Sequence, residues 1–420
     1  MISQEQALNT ADSWLNAVGD GRRREVRHRE FELGWVVWAA PAPLERDPVT
    51  GMRRPPAQVG QACGVVDRRS GELTVWPSVP ADEVIEAYRL HVRPVTGPGN
   101  TLVATYVEQA GGEERRVELA AGPGLVPVEH RLVAELARLG VPAEAVRTIH
   151  TALRPATLPG GYAAELLERR FSGAEITFDH SYGITAEERG DGVAALVEQV
   201  QREVRPAPPY PNRVTAPASG AVTPAESVRD VELGRRLTAA FESVVRYDAD
   251  DLAASALPDA SRATLTWAGQ PAEVPLFFTA DQLELPPVGG LFADLRTHLR
   301  GQADTIAPET MERLADFTRI GTDGFCVIAV RCAGEGAGSV WAVHPRTVSG
   351  RFVNGSLSTF LRSLVLLADA RAALVGLDQV EAGAVVAGFQ AALVETDPEV
   401  FRDDSTWWSV VIEQLWHGLF

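Results

Sequence analysis

The 420-residue sequence contains no lysine; all 39 of its basic side chains are arginine. We read that absence as codon bias of a high-GC bacterial genome, and it also excludes a Walker-type phosphate loop, which needs a lysine. Cysteine is nearly as scarce. Cys63, Cys326 and Cys332 lie in apolar or strand-like surroundings and are too few for a disulfide framework, so buried free thiols in a reducing cytoplasm are expected. No apolar run approaches the roughly 18 residues of a membrane span. The opening Met1-Ile-Ser-Gln-Glu-Gln-Ala7 lacks a basic n-region and an apolar h-region, so no secretion signal is read and a cytoplasmic location is expected. No internal repeat is apparent.

What is plentiful is acid. The formal charge is −17, and residues 223–420 carry 27 acidic against 15 basic side chains. Such a surface repels nucleic acid and attracts basic proteins, chiefly by raising encounter rates. Hydrophobic residues make up 45%, ordinary for a globular chain, and the length calls for several domains. Two proline-rich breaks divide it, Arg93-Pro-Val-Thr-Gly-Pro-Gly99 and the stronger Arg205-Pro-Ala-Pro-Pro-Tyr-Pro211 running on to Gly220. The second should be extended and semi-rigid, a spacer between folded units. The expected boundaries are 1–95, 96–204, a linker over 205–222, and 223–420.

In the first region Ala7, Ala11, Trp14, Leu15 and Val18 recur at helical spacing, and Phe31, Leu33, Trp35 and Val37 alternate as in a strand. Ala62–Val66 and Leu73–Trp76 read as strands joined by a turn at Ser70-Gly71, and Pro80 leads a helix through Tyr88. The succession Glu32-Leu-Gly34-Trp35, Val65-Val-Asp67, Ser70-Gly71 and the proline-led helix resembles the small domains grouped as Immunity protein 35 or YrhB-like.

The middle region reads as a strand over Thr101–Val107, a helix over Glu129–Leu139, a strand over Val146–His150, a helix over Ala163–Arg170 and a strand over Ala174–Phe178. The segment Pro155-Ala156-Thr-Leu-Pro159-Gly-Gly-Tyr162-Ala163 resembles the zinc segment of bacterial toxin-type nucleotide deaminases. That resemblance implies cysteine at both places that here hold alanine, Ala156 and Ala163. A methyl group has no lone pair for Zn²⁺, so no activated water is expected. The family's upstream ligand and general acid/base come from a His-x-Glu motif at a helix start. The nearest candidates are Glu129 and His130, adjacent and in the wrong order. A rescue site from His130, His150 and His180 would need three histidines scattered over fifty residues. No metal, cofactor or catalytic residue is therefore assigned, and a base-binding cleft without chemistry stays open.

The last region contains Arg319-Ile-Gly321-Thr-Asp323-Gly324, paired strands over Phe325–Val330 and Ser339–His344, Phe352-Val-Asn354-Gly-Ser356-Leu357, Asp397-Pro398, and a terminal Trp408-Ser-Val-Val-Ile-Glu413-Gln helix. This succession resembles the SUKH-4 group of immunity proteins. Gly334-Glu-Gly-Ala-Gly338 lies between two strands and opens no helix, so it reads as a hairpin loop. Asn354 or Ser356 should cap the following helix, the helix from Pro224 should run to Phe241, and Trp408, Ile412 and Leu415 form a docking stripe.

The expected fold is α+β and multidomain: a small α+β domain, a deaminase-like α/β domain without zinc ligands, and a SUKH-like α+β domain. Two immunity-type ends imply a non-enzymatic immunity protein of a bacterial polymorphic toxin system. Its partner would be a toxin domain, basic and of nuclease or deaminase kind, with neither nucleic acid nor membrane bound directly. Arg319, Asp323, Trp341 and Asn354 are the candidate partner-binding residues. A nucleotide-sensing regulator or a scaffold using the inactive cleft is the alternative.

Overall fold

A computed structural model describes residues 2–17, 23–40, 62–107, 112–217, 220, 222–282, 284–301 and 306–420. The chain divides into two compact units, Met1–Arg93 and Pro94–Phe420.

In the first unit, α1 (Gln4–Leu15) opens on a capping box in which Ser3 and Gln6 bond each other's backbone amides. A four-stranded antiparallel sheet follows in chain order: β1 (Val26–Phe31), β2 (Gly34–Ala39), β3 (Cys63–Asp67) and β4 (Leu73–Trp76). Helix α2 (Ala81–Val92) completes the unit. The run from Phe31 to Val37 is therefore two strands turning at Glu32-Leu33, with Phe31 paired to Gly34. A Cβ on Gly34 would sit 2.1 Å from the Val66 carbonyl oxygen, so the turn needs glycine. Strand β2 is apolar on both faces because both are covered. Trp35 and Val37 pack with Ala7 and Ala11 of α1, and Val36 packs with Val84, Ile85 and Tyr88 of α2.

The second unit begins with β5 (Thr101–Val107), β6 (Glu114–Ala120), α3 (Val128–Leu139), β7 (Val146–Leu153), α4 (Ala163–Arg170), β8 (Glu175–His180) and α5 (Ala186–Glu203). The sheet order is β6-β5-β7-β8, antiparallel except for β8, which runs parallel to β7. A parallel pair requires a crossover, and α4 supplies it. Leu132 and Leu136 of α3 and Leu167 of α4 bury one face with Leu102, Ala104 and Ile149.

The proline-rich segment is extended, but it lies along this unit. Asn212 exchanges two backbone hydrogen bonds with Val95, and Gln390 donates to the Val214 carbonyl at 2.9 Å. Residues 218, 219 and 221 of the expected linker lie outside the described residues.

Beyond it come α6 (Asp230–Ala240), β9 (Val244–Val245), α7 (Ala249–Ala253), α8 (Asp259–Trp267), β10 (Gln270–Pro271), β11 (Glu273–Val274), β12 (Phe278–Ala280), α9 (Leu295–His298) and α10 (Pro308–Leu314). Then follow β13 (Phe317–Thr322), β14 (Val327–Arg331), β15 (Val340–Val343), β16 (Gly350–Asn354), α11 (Leu357–Leu374), α12 (Gln379–Thr396) and α13 (Trp407–Trp416). Strands β11 to β16 form a six-stranded sheet in sequence order, each pair antiparallel. The helix expected from Pro224 starts only at Asp230. Ser356, rather than Asn354, caps α11. The glycines at 334, 336 and 338 have φ of 74°, 78° and 96° and close the β14–β15 hairpin.

Helix α13 was expected to offer a stripe; instead all ten of its residues are buried. An all-round apolar helix belongs in an interior. Trp407, Trp408, Ile412 and Leu415 join the core of the six-stranded region, whereas Val410 joins Leu153, Tyr182 and Leu196 of the deaminase-like region. The two regions are thus packed on one helix. Among the described residues, no helix is long and apolar enough to cross a membrane.

Candidate functional site

The start of α3 brings the degenerate deaminase positions together. Pro127, Glu129, Ala156 and Ala163 line one cavity, with Gln414 and Phe420 of the far end of the chain completing its wall. Its volume is about 30 Å³, room for about one water molecule. Glu129 is 5% exposed, and its Oε1 accepts from Asn100 Nδ2 at 3.2 Å. Burial pushes its carboxyl above the usual carboxylate range, against the smaller opposing pull of its own backbone amide and Asn100.

Zinc deaminases take a His-x-Glu motif and two cysteines. The cavity places Pro127 two residues before Glu129, where that spacing calls for the histidine. Proline and alanine side chains offer no donor, so Pro127, Ala156 and Ala163 do not fit zinc. His130 takes no part in the cavity's lining. Its Nε2 lies 2.8 Å from the Gly161 carbonyl, and burial lowers its pKa. Nor do the histidines converge, since His150 meets Thr177 and Asp179 while His180 meets Gln199. Among the described residues, no three His, Cys, Asp or Glu side chains are grouped as a metal would need.

The cleft is also filled by the chain itself. Gly160 and Gly161 hold φ of 102° and 124°. A Cβ on Gly160 would meet the Phe420 ring at 2.8 Å, and one on Gly161 would meet His130 Nε2 at 2.7 Å. Gln414 Nε2 donates to the Pro159 carbonyl at 2.6 Å. Tyr182 Oη lies 2.9 Å from His417 Nδ1, and Arg189 donates twice to Glu413 Oε2, at 3.0 and 2.6 Å. The Arg189 and Glu413 side chains are 1% and 5% exposed. Burial, then Arg213 and Arg189 nearby, drive the His417 pKa down to about 3.

Tyr162, from the Leu-Pro-Gly-Gly-Tyr spacer, reaches the other way. Its hydroxyl donates to Asp323 Oδ2 at 2.7 Å inside the six-stranded region's core. Asp323 also accepts from Trp407 Nε1 at 3.0 Å and from the amides of Phe325 and Cys326. Asn354 is equally interior. It donates to Asp397 at 2.9 Å and accepts from Trp408 Nε1 at 2.9 Å.

Of the four expected partner-binding residues, Asp323 and Asn354 are 2% and 0% exposed, and their polar atoms are taken by buried donors and acceptors. Arg319 forms a two-point ion pair with Asp281 and also donates to His298. Trp341 is half-buried between Phe317 and Phe352 and donates to Ser339.

A residue not singled out in the sequence is better placed for contact. Trp267, at the end of α8, is 63% exposed, alone among the nine tryptophans in being classed as exposed. It divides two open grooves of about 410 and 490 Å³, one lined by Arg229, Asp230, Val231, Glu232 and Arg235, the other by Leu252, Arg262 and Thr266. Helical periodicity gives no warning of this, because the signal is a single aromatic in the last position of a helix.

Three family models match the chain in order: the Immunity protein 35-like domain over residues 5–95, the Xanthomonas-like deaminase over 97–199 and the SUKH-4 immunity protein over 217–414. The class is a multidomain α+β protein with immunity-type domains on both sides of a deaminase-like one. Its particular architecture joins an Immunity protein 35-like domain, a deaminase-like domain and a SUKH-4 domain in that order. No curated protein and no solved structure matches the chain.

Proposed function

We propose that this protein is a cytoplasmic immunity protein of a bacterial polymorphic toxin system, which binds toxin domains and neutralises them without catalysis. The observation that carries the reading is the pairing of two immunity-type domains with a deaminase-like cleft that lacks zinc donors and is stoppered by Gln414 and Phe420. The −17 charge supports a basic target, since opposite charge speeds encounter and the acidic surface would compete with nucleic acid for a basic cleft.

Trp267 and its two grooves are the proposed contact on the SUKH-4 domain, because exposed tryptophans between grooves make dominant binding anchors. A nucleotide sensor is disfavoured: a cavity of about 30 Å³ falls far below the roughly 300–1,000 Å³ of ligand sites.

The test is affinity of the full chain for toxin domains encoded in the same genomic neighbourhood, with cell protection on co-expression. Binding and protection are expected, with Trp267→Ala weakening binding by about 2 kcal/mol, roughly thirtyfold. Absence of binding to every such domain would overturn the reading.

A further inference from the structure

The sheet of the deaminase-like region ends in an uncovered strand. β8 closes the order β6-β5-β7-β8 and pairs with β7 alone. The amide of Arg154 donates to the His180 carbonyl at 2.9 Å, which fixes the direction of the backbone groups. His180, Phe178 and Ile176 turn theirs toward β7, so Glu175, Thr177 and Asp179 turn N–H and C=O groups to the free edge. No described residue bonds those outward groups. Glu175, Thr177, Phe178 and Asp179 are all exposed.

The side chains say what such an edge would accept. Phe178, 43% exposed beneath the Arg154 guanidinium, supplies an apolar surface on one face. Glu175 and Asp179 project from the other face. Glu175 has no ion-pair partner among the described residues, and Asp179 has only the half-exposed His150, at 3.3 Å. A second copy pairing antiparallel about Thr177 would set Glu175 against Asp179, and like charges directly opposite repel. The same two carboxylates attract an incoming basic strand. At the sheet's other edge, β6 carries Glu114, Arg115, Arg116 and Glu118, two charges of each sign, which blunts it without favouring either.

We propose that the free edge of β8 is a strand-addition site for an extended segment of a partner protein, with basic side chains on its carboxylate-facing side and apolar ones toward Phe178. Main-chain bonds to Thr177 and Asp179 would give affinity, and the alternating faces would give selectivity. The inference stands apart from the toxin reading, because the edge belongs to the deaminase-like domain and does not involve Trp267.

The experiment titrates the full chain with a labelled, end-blocked peptide of alternating arginine and valine. Controls are the same peptide N-methylated at alternate residues and a glutamate–valine counterpart. Saturable binding of the basic peptide is expected, with N-methylation or acidic replacement weakening it by at least on the order of tenfold. Thr177→Pro removes an outward donor while sparing the ladder to β7, so it should weaken binding similarly, whereas Thr177→Val, which loses the same hydroxyl bond to His150 but keeps the donor, should bind as before. Glu175→Arg with Asp179→Arg should switch preference to the acidic peptide, which keeps the test decisive if the proline variant misfolds. Equal binding by the N-methylated peptide, no saturation up to about 1 mM, or dimerisation through β8 would each overturn the proposal.

Discussion

In the deaminase-like region the places that would grip a metal hold Pro127, Ala156 and Ala163, and the acid between them, Glu129, keeps one side-chain donor, Asn100. In the SUKH-4 region the landmark residues Asp323, Asn354 and Asp397 keep their polar groups and spend them on Tyr162, Trp407, Trp408 and backbone amides. One region has no zinc donor at these three places and is filled by its own chain, whereas the other spends its landmark residues on internal ties. A motif residue that also holds the fold keeps its polar partners whether or not it meets a ligand. The two proposed contacts, Trp267 and β8, lie instead on the exposed surface.

The largest effect is expected at the buried ion pair joining the two regions. Arg189→Met should strand Glu413 in the interior and cost about 3–5 kcal/mol in denaturant unfolding, with much recovered by adding Glu413→Leu. Near-neutral behaviour of the single variant would mean that the regions are not packed through α13.

Acid should act next. His417 is held near a pKa of about 3 by burial and by Arg213 and Arg189, with the Tyr182 hydroxyl also facing it. Because the unfolded imidazole takes a proton near 6.5, the stability this neutral ring contributes is present above that pH and falls below it. At pH 5 the loss should be about 2 kcal/mol. His417→Gln should show a shallower slope between pH 6.5 and 4, and identical slopes would exclude the residue as the sensor.

A smaller effect sharpens the Asp323 side. Tyr162→Phe deletes the hydroxyl that crosses into the SUKH-4 core and should cost about 1 kcal/mol by chemical unfolding. Smallest is Glu129→Gln. The raised carboxyl binds a proton more readily when folded, so ionisation at neutral pH opposes folding. The amide should leave stability unchanged at pH 4 and raise it at pH 8 by up to about 1 kcal/mol, as read from thermal melts. Destabilisation at pH 8 would mean the carboxylate is needed structurally.

Much of the local fold was legible in the residues. Thr101–Val107 alternates cleanly, and Ala163–Arg170 has its helical spacing after a turn that glycine pins, so both elements lie where periodicity puts them. The embrace between regions was hidden. Its bonds run from Tyr162 to Asp323 and from Gln414 to Pro159, across sequence separations that carry no periodic signal. The burial of α13 was available in principle, since ten residues apolar on nearly every side do not suit a surface stripe. Pro127 was obscured by its neighbour: His130 draws the eye, while the cavity shows that Glu129 is the residue grouped with Ala156 and Ala163, which makes Pro127 the position two before it.

The most direct test of binding without catalysis is to measure zinc content and ammonia release in one preparation of the full chain supplied with zinc, cytidine and adenosine. Zinc well below one equivalent and no ammonia above a protein-free control are expected. Stoichiometric, tightly held zinc with nucleoside turnover would contradict binding without catalysis.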